Sequence, residues 1–143
     1  MNKKEMIRCY LRALESCSSE EVLKYFSPEA VIKSPLNGMV KASEFFPSLF
    51  SLTLKAKVHI SNIFMSVENA NSGAVHFRFD WDFLDGGQAQ FDCVDIFELD
   101  PKLAKISKMT IVYDSYFIRK AFEKVKIAAA YQTTRGKKGE GEW

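Results

Sequence analysis

The sequence predicts an α+β domain, with helices on one face of a curved antiparallel sheet. Three observations carry this. The first third of the chain sets apolar residues at helical spacing, and residues 56–113 alternate with a period of two. Helices come first and strands follow in succession. Turn signals, above all Asp85-Gly86-Gly87, join those strands as hairpins.

Residues 3–17 place Met6/Ile7, Tyr10/Leu11, Leu14 and Cys17 on one stripe of a helix. Ser18-Ser19-Glu20-Glu21 reads as a capping box. It opens a short second helix that buries Val22, Leu23 and Phe26 and stops at Ser27-Pro28. Ala30–Lys33 fits a short strand ending at Ser34-Pro35, and Asn37-Gly38 a turn. A third helix is expected over 42–52 with Phe45, Phe46, Leu49 and Phe50; Pro47 inside it predicts a kink or a late start. Strands are expected at Lys57–Val67, Val75–Leu84, Gln88–Leu99 and Lys105–Tyr113, with turns at 69–73 and Asp100-Pro101. Residues 117–131 return to helical spacing through Ile118, Ala121/Phe122, Val125 and Ala128/Ala129, and 133–143 read as a polar tail.

A chain of 143 residues, 47% hydrophobic and 27% charged, suits one core that needs no disulfide staples. The expected division is a domain over 1–119 and a basic helix and tail over 120–143. The net charge of +2 is uneven: residues 119–143 hold seven Lys/Arg and three Glu, so the body is faintly acidic. Such a balance is no nucleic-acid footprint. The apolar face of the last helix is mostly Ala, weak for a membrane surface, so docking on its own domain or a sister subunit is expected. Cys9, Cys17 and Cys93 have no metal-ligand spacing. The first two, eight residues apart on one helix, stand about 12 Å apart, too far for a disulfide. With reduced thiols and no apolar leader or spanning run read in the sequence, a cytoplasmic chain is expected. His59 has no acid or thiol at metal spacing, and neither metal nor cofactor is expected.

Three segments, IRCYLRAL…SSEEVLKYFSPEAVIKSPLNG at 7–38, DGGQAQFDCVDIFELD at 85–100 and KISKMTIVYDSYFIR at 105–119, carry a resemblance. They look like the nuclear transport factor 2-like superfamily, which includes SnoaL-like polyketide cyclases, ketosteroid isomerases and limonene epoxide hydrolase. The resemblance covers most of residues 5–119. It implies a cone, a curved sheet wrapped round the N-terminal helices with a ligand pocket in the open end, and frequent dimers.

Asp95 is the sole charged member of a strand face that otherwise reads Phe91, Cys93, Phe97, Leu99. An ionised carboxylate buried without partners is costly, so this one is expected to be protonated or paired. A neutral acid can donate a hydrogen bond to a developing oxyanion. A structural acid paired with an Arg or His is the other reading, and the pattern leaves both open. By resemblance, Asp95 matches the protonated aspartate of the ketosteroid isomerase oxyanion hole and Tyr10 its tyrosine. By pattern, Tyr10 is a core aromatic. The general base of that enzyme falls at Ser34, which cannot take a proton from carbon unaided and puts steroid isomerisation in doubt.

Strand 75–84 has an aromatic face, Val75, Phe77, Phe79, Trp81 and Phe83, and a polar one, His76, Arg78, Asp80 and Asp82. A two-residue turn at Asp85-Gly86 sets the polar face beside Asp95; a three-residue turn with a glycine bulge sets the aromatic face there. Gapless comparison with ketosteroid isomerase favours the first and amphipathicity the second; the gapless register is preferred. Arg78 and Asp80 then enter the pocket, and resemble the Arg-x-Asp of limonene epoxide hydrolase, whose second aspartate falls near Ile111. A salt-bridge ladder on a solvated face is the alternative. Leu14, Phe46, Phe50, Phe97, Met109 and Tyr113, with Ile111, are expected to line the pocket. An Asp114–Arg119 pair is expected to close the sheet end.

The expected function is a SnoaL-like domain holding a small, largely apolar ligand and forming a homodimer through its sheet. The alternative is an isomerase, cyclase or epoxide-hydrolase-like enzyme using Asp95 and Tyr10 with Arg78/Asp80.

Overall fold

The computed structural model describes residues 1–142, with side chains as far as Tyr131. Its elements run α1 (Lys3–Glu15), α2 (Ser19–Leu23), β1 (Phe26–Ser34), β2 (Gly38–Lys41), α3 (Ala42–Ser51), β3 (Thr53–Met65), β4 (Ser72–Phe83), β5 (Gln88–Asp100), β6 (Lys105–Val112) and α4 (Arg119–Glu142). The strands form one unclosed sheet in the order β2-β1-β6-β5-β4-β3. Neighbours are antiparallel except β1 and β6, which run parallel. This is the expected α+β class, with bulges in β3 and β6 that bend the sheet around the helices.

Local chemistry sets the helices. Asn2 caps α1 by accepting the Glu5 N–H at 2.8 Å, and Ser18 caps α2 by accepting from Glu21 at 3.3 Å. The buried stripe of α1 is Met6, Ile7, Tyr10, Leu11 and Leu14. The helix stops two residues short of the expected end, and Cys17 takes a left-handed φ of 54° just beyond it.

Phe26 is buried as expected but opens β1 rather than ending a helix, and Pro28 sits in an irregular stretch of the β1–β6 pairing between Phe26 and Val31. That is where a strand tolerates a missing N–H. The turn at Asn37-Gly38 leads into β2, a short strand absent from the sequence reading. Helix α3 starts at Ala42, so Pro47 is interior and the start is not late.

An aromatic cluster ties the layers together. Tyr10 of α1 meets Phe26, Phe46 and Phe97 edge-on at 5.4, 6.2 and 5.8 Å. Helix α4 docks on its own domain: Ile118 just before it, and Phe122 and Val125 within it, are buried. Its bounds reach into the stretch expected as a polar tail, 133–143, whose side chains lie outside the described residues.

Candidate functional site

The β4–β5 hairpin decides what surrounds Asp95. Phe83 N–H donates to the Gly87 carbonyl at 2.8 Å, leaving Leu84, Asp85 and Gly86 as a three-residue turn, with Gly86 at φ 89°. The gapless register is therefore wrong by one residue. Val75 pairs with Asp95, Phe77 with Cys93 and Phe79 with Phe91, so the aromatic face shares the pocket side. Burying that row gains far more than burying two aspartates and an arginine.

Arg78 and Asp80 are corrected to the outer face. There Arg78 Nε and Nη2 donate to Asp80 at 3.1 and 3.2 Å, and His59 Nε2 lies 2.9 Å from Asp80 Oδ2. Burial works against the Asp80 carboxylate, but the His59 and Arg78 hydrogen bonds outweigh it and hold its pKa below the ordinary value. This is the salt-bridge ladder, not a pocket apparatus.

Asp95 is 2% exposed. Directly opposite it stand Val75 on β4 and Ile111 on β6, both apolar. Its one hydrogen bond among the described residues comes from the Cys93 thiol, 3.5 Å from Oδ1, and it has no ion-pair partner there. Burial pushes its pKa up to about 7, against a small opposing effect of the Cys93 bond. Burial, then the Asp95 charge, raises the Tyr10 hydroxyl well above its ordinary value. Burial likewise raises Cys93 and Tyr113, so all three stay protonated at neutral pH.

These groups border one cavity of about 60 Å³. Tyr10 and Leu14 reach it from α1, Phe45, Phe46 and Leu49 from α3. The sheet adds Phe77, Phe79 and Trp81 from β4, Phe91, Cys93 and Asp95 from β5, and Ile111 and Tyr113 around the end of β6. Ser34, Leu36 and Asn37 flank it from the β1–β2 turn, and Phe122 from α4. Among the described residues no polar side-chain atom is both sealed and unpartnered. The second Asp95 oxygen and the Tyr10 hydroxyl, which bond nothing among the described residues, therefore open onto this space.

Of the expected lining, Leu14, Phe46 and Tyr113 border the cavity and Phe50, Phe97 and Met109 do not. Phe97 and Met109 are paired across β5 and β6 and wholly buried deeper in the core. Phe50 stacks on Phe46 from behind, rings 6.1 Å apart. The Asp114–Arg119 pair does not form: Asp114 accepts the Tyr116 N–H, and Arg119 turns to the Pro35 carbonyl and Ser115 Oγ. Phe122 was missed as pocket wall, as were Phe45, Leu49, Leu36 and Asn37, and the β4 aromatics stood only in the register not preferred. Amphipathicity pointed to the β4 aromatics, and the spacing Ile118–Phe122–Val125 to Phe122.

Among protein-family models and curated proteins, none matches the sequence. Solved structures do match. An NTF2-like protein of unknown function from Burkholderia pseudomallei superposes with a TM-score of 0.71 at 12% identity, over 84% of this chain and 96% of that one. The fold is nuclear transport factor 2-like. SalBIII, described as an epoxide hydrolase/cyclase-like enzyme in pyran ring formation in the polyether salinomycin, matches with a TM-score of 0.67 at 18% identity, over 78% of this chain and 89% of that one. A protein with a ketosteroid isomerase-like fold from Catenulispora acidiphila, in complex with trimethylamine, gives 0.67 at 8% identity, over 79% and 88%. At these identities the nuclear transport factor 2-like likeness is one of fold.

Proposed function

We propose that the chain is a small-molecule-binding domain whose cavity holds a small, largely apolar ligand, with neutral Asp95 donating a hydrogen bond to a ligand oxygen. The observation that carries this is a buried carboxyl among aromatic walls, with no cation against it among the described residues. A neutral acid there can donate; an ionised one could only accept and would have lost its hydration. Binding of a neutral aryl ketone such as acetophenone, followed by fluorescence, tests it. Affinity should fall as the pH rises through about 7, where Asp95 ionises, and should fall about tenfold or more in Asp95→Leu. Affinity independent of both pH and Asp95 would sink the assignment.

A second reading, an enzyme, is favoured by Tyr10 and Asp95 opening onto the same space. Arg78 and Asp80 have no part in it. Asp95 is the only carboxylate bordering the cavity among the described residues. The chemistry such a site supports is therefore acid assistance to a departing oxygen, as in opening an epoxide within a substrate that carries its own nucleophile. Homodimerisation is proposed through the outer sheet face, where Phe64, Ile96 and Val112 are exposed.

A further inference from the structure

The cavity of about 60 Å³ has room for a few water molecules. A dry cavity that admits benzene measures ~150 Å³. A ligand that fills the aromatic walls therefore needs part of the wall to move. Most of that wall is sheet, α1 and α3, locked in the buried core. Helix α4 adds Phe122 and Val125 to the same core, but exposed chain flanks them on both sides. It follows an irregular stretch at 113–118 with Tyr116 and Phe117 exposed, and beyond its first turns Ile127 and Tyr131 face solvent. Segments anchored by few buried contacts open at lower cost than the core.

Among the described residues of this helix, Phe122 is the one that lines the cavity. Its ring stands 5.9 Å from Trp81 on one side, and Lys126 Nζ lies 5.4 Å over it. From the same turn, Arg119 Nη2 donates to the Pro35 carbonyl at 3.4 Å and to Ser115 Oγ at 3.3 Å. Pro35 adjoins Leu36 and Asn37 of the β1–β2 turn, which also border the cavity. One exposed guanidinium thus ties α4 to the β1–β2 turn through a single hydrogen bond at the long end of the range.

We propose that the first turns of α4 are the cover of the Asp95 cavity, that Phe122 sets how large a ligand the site admits, and that Arg119 is the latch. The proposal rests on reading the cavity as a ligand site. Truncating Phe122 adds space beside Trp81 and relaxes the size limit. Releasing Arg119 leaves the size limit in place and lets the cover open faster.

The probes are acetophenone and 2-acetonaphthone, neutral aryl ketones that differ by one fused ring. Binding is read from Trp81 fluorescence in the full chain carrying Trp143→Phe, which leaves one of the two tryptophans. Phe122→Ala should shift preference toward 2-acetonaphthone at least tenfold relative to the parent. Phe122→Leu, which keeps most of the apolar packing, should shift it less in the same direction and serves if the alanine variant does not fold. Arg119→Ala should raise the association rate of both ketones severalfold with their affinity ratio unchanged. An unchanged ratio in the folded Phe122 variants overturns the size-setting role, and a parental association rate in Arg119→Ala overturns the latch. If Asp95→Leu abolishes binding while the ratio stays fixed, the cavity reading stands and the cover falls alone. If neither ketone binds any variant, both fall together.

Discussion

Asp95 is a carboxyl that the fold makes weak. Val75 and Ile111 opposite it remove water and bring no charge, and the Cys93 thiol returns only a weak hydrogen bond. The carboxyl passes from 3.8 in the unfolded chain to about 7 in the folded one. A raised folded value means its stability contribution is whole below about pH 4 and is lost as the pH rises through about 7. That loss is about 4 kcal/mol. Urea unfolding at pH 5 and pH 8 should therefore show the parent losing stability with pH. Asp95→Asn, which cannot ionise, should lose much less over the same interval; parallel losses would mean that Asp95 is ionised in the fold or solvated. The unusual position of Asp95 was legible from the alternation of its strand, and Tyr10 from its helical stripe. That Arg78 is not the partner of Asp95 was not legible, because the partner depends on which face of another strand lies alongside.

At the scale of elements, the β4–β5 hairpin shows how one residue redistributes a site. Asp85-Gly86-Gly87 is compatible with a two- or a three-residue turn, and the two place opposite faces of β4 beside Asp95. Gly86, at φ 89° with open space where a side chain would go, carries the observed turn. Gly86→Ala should cost about 1–2 kcal/mol through backbone strain alone, since nothing there would clash. Denaturant unfolding measures this, and a neutral result would show that the turn relaxes to another form. The amphipathic pattern of β4 pointed to the observed register, and the gapless comparison misled because it carried a two-residue turn onto a chain that makes a three-residue one. The buried stripe of α1 and the capping box of α2, by contrast, were readable directly, since each contact spans three or four residues. The strand at Ala30–Lys33 was legible, but its extension back to Phe26 was masked by Pro28, which the irregular β1–β6 pairing accommodates.

For the whole molecule, the open question is what covers the outer sheet face. Phe64, Ala74 and Ile96 form a row across β3, β4 and β5, and Val112 lies beyond it on β6, all on the side away from Asp95. A dimer through this face should scatter light as twice the 16.3 kDa of the chain. Ile96→Glu should return it to monomer at micromolar concentration, because an unpaired charge would be buried at the centre of the contact. A parent that is monomeric at those concentrations removes the dimer. Among the described residues no helix is long and apolar enough to cross a membrane. The sequence by itself determined the class of fold, the order of most elements, the buried stripe of α1 and the anomalous carboxyl on β5. Those follow from periodicities within one element, and side-chain burial enforces them locally. Only the tertiary structure decided the hairpin register, the parallel β1–β6 pairing, the removal of Arg78 and Asp80 to the outer face and the arrival of Phe122 in the cavity wall. Those depend on contacts between residues far apart in the chain, where a shift of one residue reverses which side chains meet.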